Sequence, residues 1–153
     1  MKRILGWGLL VFAFFSLGYA GWLTFGNNEK EHETVGSNDV GTVIVYFIHG
    51  RAKCPTCDLI LAKTQAVLET SFAEEMQIGR LKLVKVDVEK PGNEHFMQDF
   101  NLFTTSVVLF HQATGGRKTW KNLEKAWELA DDEEAFSDYF KTSLSRFLEE
   151  IRP

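Results

Sequence analysis

The sequence predicts an α/β domain, a sandwich of helices around a mixed β-sheet, preceded by an N-terminal transmembrane or signal helix. Three observations carry that expectation. Residues 42–48, 81–88 and 106–111 are runs rich in β-branched, aliphatic and aromatic side chains and read as strands. Apolar residues spaced three and four apart lie between them and mark helices. A Gly115-Gly116 turn then joins the third run to a short fourth strand at 117–120. The order is βαβαββα: parallel strands linked by helices, then an antiparallel hairpin and a closing helix.

The first strand, Thr-Val-Ile-Val-Tyr-Phe-Ile, is apolar without alternation, as a strand covered on both faces should be. A loop at 49–53 leads to Cys54-Pro55-Thr56-Cys57. Ile60, Thr64, Val67, Leu68, Ser71, Phe72 and Met76 then predict one long helix. Phe96, Met97 and Phe100 mark a short helix after Pro91-Gly92-Asn93. Past the hairpin, Asn122 is expected to cap a short helix carrying Leu123, Ala126, Trp127 and Ala130. Asp131 or Asp132 should cap the last helix, whose first turn is acidic, as the dipole favours. Phe136, Phe140, Leu144, Phe147 and Ile151, spaced 4, 4, 3 and 4, are its core stripe.

Residues 1–25 stand outside that fold. Lys2 and Arg3 precede residues 4–25, 22 positions without a charge, long enough to span a hydrocarbon core as a helix. Basic residues stay cytoplasmic, so the domain is expected on the periplasmic side of the inner membrane. The competing reading is a cleaved signal with Gly18 and Ala20 at its processing site, leaving a soluble periplasmic protein. The apolar run continues through Trp22, Leu23 and Phe25, which favours the anchor. Residues 26–41 are polar and acidic, a flexible linker that includes His32, and 42–153 form the domain.

The 153 residues carry a net charge of −4, and the isoelectric point is near 5.6. That balance gives no footprint for a phosphate backbone, so nucleic acid is not expected as a partner. No Gly-x-Gly-x-x-Gly fingerprint for a flavin or nicotinamide is present.

The chain has two cysteines, Cys54 and Cys57, in one Cys-x-x-Cys. Any disulfide within the chain must join them. The pair follows a predicted strand and opens a predicted helix, where a redox dithiol belongs. With Cys54 as N-cap, Pro55 falls at the first helical position, where its missing N–H costs nothing. The amides of Thr56 and Cys57 then point at the Cys54 sulfur, and with the helix dipole they favour its thiolate. Arg51 and Lys53 add positive charge on the approach. Cys54 is therefore the expected nucleophile and Cys57 the resolving thiol.

Two other readings compete. Cys54, Cys57 and His49 could hold a soft ion such as Cu(I) in a metal-binding or delivery module. Zinc would need four ligands, two of them from His49, His95 and His111. None of these histidines stands at a paired spacing, and no metal is expected. A redox-inert interaction subunit that merely keeps the fold is the other.

At these residues the chain resembles the thioredoxin-like superfamily over nearly all of 42–151. The strand 43–47, Cys-Pro-Thr-Cys and Val84-Lys-Val-Asp-Val-Glu89 match that pattern in order and spacing. More narrowly, His-Gly-Arg-Ala-Lys-Cys-Pro-Thr-Cys, Asn-Glu-His-Phe-Met-Gln-Asp-Phe and Trp-Lys-Asn-Leu-Glu-Lys-Ala-Trp-Glu-Leu look like a bacterial nitrophenyl-compound nitroreductase subunit family. The resemblance implies a thiol–disulfide oxidoreductase or electron-relay subunit. It implies partner-protein thiols or disulfides, a membrane electron donor, and no cofactor beyond the redox-active disulfide.

The chain departs from the superfamily pattern in three places. Thr105, preceded by Thr104, stands where a cis-proline is usual before the third strand. A non-proline cis bond costs about 3–4 kcal/mol, so a trans peptide is expected. The Thr105 hydroxyl or N–H should border the Cys54 sulfur. Tyr46 stands where a buried acid is usual, leaving His49 or water as proton shuttle. Lys53, and no tryptophan, precedes the dithiol.

Overall fold

Alternation along the strands decides the layering, because successive side chains leave a strand on opposite faces. The computed structural model describes residues 41–50 and 54–152. The apolar segment, the linker through residue 40, and Arg51, Ala52, Lys53 and Pro153 lie outside them. The elements are β1 (Val43–His49), α1 (Pro55–Ser71), α2 (Ala73–Gln77), β2 (Leu81–Asp87), α3 (His95–Asp99), β3 (Ser106–Gln112), β4 (Lys118–Asn122), a 3-10 turn (Glu124–Ala126) and α4 (Glu133–Glu150).

The four strands form one sheet in the order β2-β1-β3-β4. β1 runs parallel to β2 and antiparallel to β3, and β3 runs antiparallel to β4. β1 is thus central, and its first six residues are all buried. Val43, Val45 and Phe47 face one core with Val107 and Leu109, under Ile60, Val67 and Leu68 of α1 and Phe136, Phe140, Leu144 and Phe147 of α4. Ile44, Tyr46 and Ile48 face the other, with Val84, Val86, Val108 and Phe110 under Phe96, Phe100 and Leu102. The expected mixed α/β sandwich is therefore present. Truncating a fully buried Phe140 to alanine in such a core costs about 3–5 kcal/mol.

Two sequence expectations need correction. The long helix through Met76 is broken: Phe72 ends α1 at φ −133° and ψ 25°, its N–H still bonded to the Leu68 carbonyl. The break keeps Phe72 buried and Met76 packed on the same core, while α2 carries the chain back to β2. Gly79, at φ 74°, supplies the left-handed residue of that turn. Asn122 is not a helix cap. It ends β4 opposite Val108, and the Leu123 N–H extends the sheet to the Val107 carbonyl at 2.8 Å. The sheet uses the backbone that a cap would need, so only a three-residue 3-10 turn follows. Of the two proposed caps for α4, Asp132 is the one used; its carboxylate accepts from the Ala135 N–H at 3.0 Å.

Among the described residues no helix is long and apolar enough to cross a membrane. The expected anchor or signal segment lies outside the described residues, and so does nearly all of the linker.

Candidate functional site

The end of β1 delivers the chain to Cys54 at the mouth of α1. Cys54 is the N-cap, extended at φ −136° and ψ 106°, with Pro55 following as the first helical residue. Its backbone carbonyl accepts the Asp58 N–H at 3.1 Å. Its Sγ accepts the Cys57 N–H at 3.2 Å. The sulfur thus occupies the place a serine or aspartate oxygen takes in an ordinary cap. Cys54 and Cys57 are joined as a disulfide, with Cα atoms 5.1 Å apart. When that bond is reduced, the same N–H and the helix N-terminus stabilise a Cys54 thiolate.

Both cysteines are half-buried, but their surroundings differ. Cys57, one turn into the helix, packs against the core between the sheet and α1–α4. Pro55 is exposed and Thr56 half-buried, on the outer side of the turn. Arg51 and Lys53, expected to charge the approach, lie outside the described residues.

Thr105 does reach the site, but at the other sulfur from the one expected. Its Oγ1 lies 3.5 Å from Cys57 Sγ. A disulfide sulfur carries no proton, so the hydroxyl donates and the sulfur accepts. Thr105 stands one residue before β3 and two before Val107, which packs in the core layer that Cys57 also packs against. No cis peptide occurs among the described residues, so the trans linkage expected before Thr105 is found.

His49 lies on the α1 side of β1 with Phe47, their rings 5.5 Å apart. Its Nδ1 donates to the Gly50 carbonyl at 2.8 Å, which fixes the tautomer, since a carbonyl only accepts. Tyr46 points to the opposite face, among Phe96, Phe100 and Phe110, away from the sulfurs. Among the described residues no three His, Cys, Asp or Glu side chains converge on a metal position. His95 is exposed on α3, and His111 is buried on β3.

Trp127, expected only as an apolar residue of a short helix, reaches this site. Trp127 Nε1 donates to the Thr105 carbonyl at 2.6 Å, across 22 residues of chain. Phe103, two residues before Thr105, is 89% exposed, and Leu59, two residues after Cys57, is 36% exposed. Surface clefts of about 390 Å³ between α1 and α4 and about 330 Å³ beside α3 and β4 are lined without either cysteine.

No protein-family model and no curated protein matches the chain. Solved structures do. The Trx4 domain of ERdj5 is 15% identical, covering 68% of this chain and 81% of its own, with a TM-score of 0.45. A thioredoxin from Thermus thermophilus is 17% identical, covering 54% of this chain and 58% of its own, at 0.35. A malarial protein is 23% identical over 48% of this chain and 73% of its own, also at 0.35. These likenesses are partial. The thioredoxin-like reading rests on the strand order, on the two helices α1 and α4 sharing one sheet face, and on a Cys-x-x-Cys disulfide where β1 feeds α1.

Proposed function

We propose that this chain is an exported, membrane-tethered thiol–disulfide oxidoreductase that trades electrons with a dedicated protein partner through Cys54 and Cys57. One observation carries the reading: Cys54 caps α1 with its sulfur on the Cys57 amide and is bonded to the Cys57 sulfur. In the reduced chain the Cys54 thiolate attacks a partner disulfide and expels one partner thiolate. Cys57, deprotonated, then attacks the Cys54 sulfur, releases the second partner thiolate and leaves the 54–57 disulfide. Two electrons pass to the partner; run backwards, the same steps reduce this chain.

A protein partner is supported by the exposed Phe103, two residues before Thr105, whose hydroxyl meets the Cys57 sulfur. Export and tethering are supported by Lys2 and Arg3 ahead of 22 uncharged residues. A periplasmic domain so held would draw electrons from a membrane thiol carrier. The motif likeness to nitrophenyl-compound nitroreductase subunits favours a multisubunit partner and does not by itself assign nitro-compound reduction to this chain.

Cysteine variants of the full chain test the roles. Cys54→Ser is expected to abolish exchange with a disulfide substrate. Cys57→Ser should accumulate a mixed disulfide on Cys54, visible as a reductant-sensitive mass shift on a gel. Full turnover in Cys57→Ser with an unreactive Cys54 would reverse the assignment, and a wild-type chain inert to every disulfide offered would remove it.

A further inference from the structure

Beyond the two cysteines, one chain of hydrogen bonds ends on the site. The Trp127 indole N–H donates to the Thr105 carbonyl at 2.6 Å, and the Thr105 hydroxyl donates to Cys57 Sγ at 3.5 Å. The segment is anchored on either side, by the buried Leu102 and by Ser106 paired with Ile48 in the sheet, but it is open to solvent between them. Phe103 and Thr104 are exposed, Thr105 is half-buried, and the Ser106 hydroxyl bonds only locally, to the Thr104 carbonyl at 3.0 Å. Trp127 is anchored too. Its ring packs on the main core, and the neighbouring Ala126 and Ala130 are buried at 2% and 1%.

We infer that Trp127 is a positioning residue for the dithiol, clamping the Thr105 backbone so that its hydroxyl meets the Cys57 sulfur and stabilises that sulfur as the leaving thiolate. The inference rests on the exchange reading and specifies how the reduced form is favoured. When a partner thiolate attacks Cys54 Sγ, a new sulfur–sulfur bond forms there and the 54–57 bond breaks. The bonding pair leaves on Cys57 Sγ, which becomes a thiolate. A second partner thiolate then attacks the partner sulfur of the mixed disulfide, and Cys54 leaves as the second thiolate, now facing the Cys57 N–H. The partner dithiol is oxidised to a disulfide, and this chain is reduced by two electrons.

Through that sequence the Thr105 hydroxyl changes its value. On a neutral disulfide sulfur it makes a weak contact. On a thiolate it makes a charge-assisted hydrogen bond, roughly twice as strong as a neutral one. An interaction stronger in the product than in the reactant shifts the equilibrium toward the reduced chain, and a better-stabilised leaving thiolate departs faster. Cys54 has its amide at the helix N-terminus for the same purpose, so each sulfur has its own donor. The clamp matters because Thr105 lies one residue outside the sheet ladder, where its hydroxyl would otherwise sample positions away from Cys57. The indole reaches a backbone carbonyl, so it fixes the segment whatever the side chains beside it do.

The test uses the full chain equilibrated with mixtures of reduced and oxidised glutathione, with the dithiol fraction read by thiol labelling. Thr105→Val is expected to make the disulfide about tenfold harder to reduce, which for this two-electron couple is about 30 mV. Thr105→Ser should restore the wild-type constant. Trp127→Phe, which removes the N–H and keeps a ring, should shift the constant in the same direction by a smaller factor, and should shift nothing further in the Thr105→Val background. A second measurement does not depend on Trp127 being replaceable. The indole N–H resonance of Trp127 should move between oxidised and reduced wild type, and should stop moving in Thr105→Val. Unchanged constants in Thr105→Val overturn the inference, as does an indole resonance indifferent to redox state. Additive shifts in the double variant would mean that Trp127 acts by another route, which also overturns it. A wild type that never equilibrates with glutathione sinks the exchange reading as well; one that equilibrates while its variants match it sinks this inference alone.

Discussion

His111 follows Val107 and Leu109 on the face of β3 that packs under α1 and α4, and only 7% of it is exposed. Burial first, and the Arg117 guanidinium second, hold its pKa below the ordinary 6.5. Between that lowered value and 6.5 the unfolded chain binds the proton more readily than the folded one. The stability gained by keeping the ring neutral is therefore complete above 6.5 and is lost as pH falls through 6.5 toward the lowered value. Urea unfolding at about pH 7.5 and about pH 5 should show a loss in the wild type that His111→Gln diminishes. Equal losses in the two chains would place the acid sensitivity on other groups. The residue illustrates what spacing can and cannot tell. A histidine at a strand end reads from sequence as a turn neighbour, yet β3 runs one residue further, to Gln112, and carries His111 under the helices.

α4 owes its start to Asp132, whose carboxylate accepts the Ala135 N–H, with Glu133 and Glu134 beside it in the first turn. Asp132→Ala should cost about 1 kcal/mol, with Asp132→Ser recovering most of it, since serine caps nearly as well. Urea midpoints of the two variants measure the difference, and indistinguishable midpoints would show the cap to be idle. This helix was legible because its cap and its four-residue phenylalanine spacing agree on the same start and face. The end of α1 was not. Phe72 and Met76 stand four apart, so the apolar stripe continues across the break although the backbone leaves the helix at Phe72. Periodicity records which side chains must be buried, and a kinked pair of helices buries the same ones. The candidate site divides along the same line. Cys54 could be placed as N-cap because Pro55 is a local signal. The neighbour of Thr105 could be guessed only from an alignment of β3, which found the residue and assigned it to the wrong sulfur. The bond from Trp127 left no trace in the sequence at all, because its acceptor is a main-chain carbonyl that every residue type supplies.

At the scale of the whole chain, the disulfide sits at the start of α1, the element that follows β1, a central strand of the sheet. Oxidised and reduced chains are then two folded states that unfold to a cross-linked and an open coil. The four equilibria close a cycle, so the difference between the two unfolding free energies fixes how much easier the disulfide is to form in the folded chain than in the unfolded one. Thr105→Val deletes a donor that counts most when Cys57 is a thiolate. At a pH where that thiolate is populated, the variant is expected to destabilise the reduced chain more than the oxidised one, by about 1–2 kcal/mol. Equal losses in the two forms, from paired urea titrations, would contradict this. The hydroxyl contact at Cys57 therefore has a mechanical reading as well as a chemical one. A chain whose reduced form is held this way loses less of its resistance to unfolding when it takes up electrons than it would without the hydroxyl, so part of its folding stability is tied to its redox state.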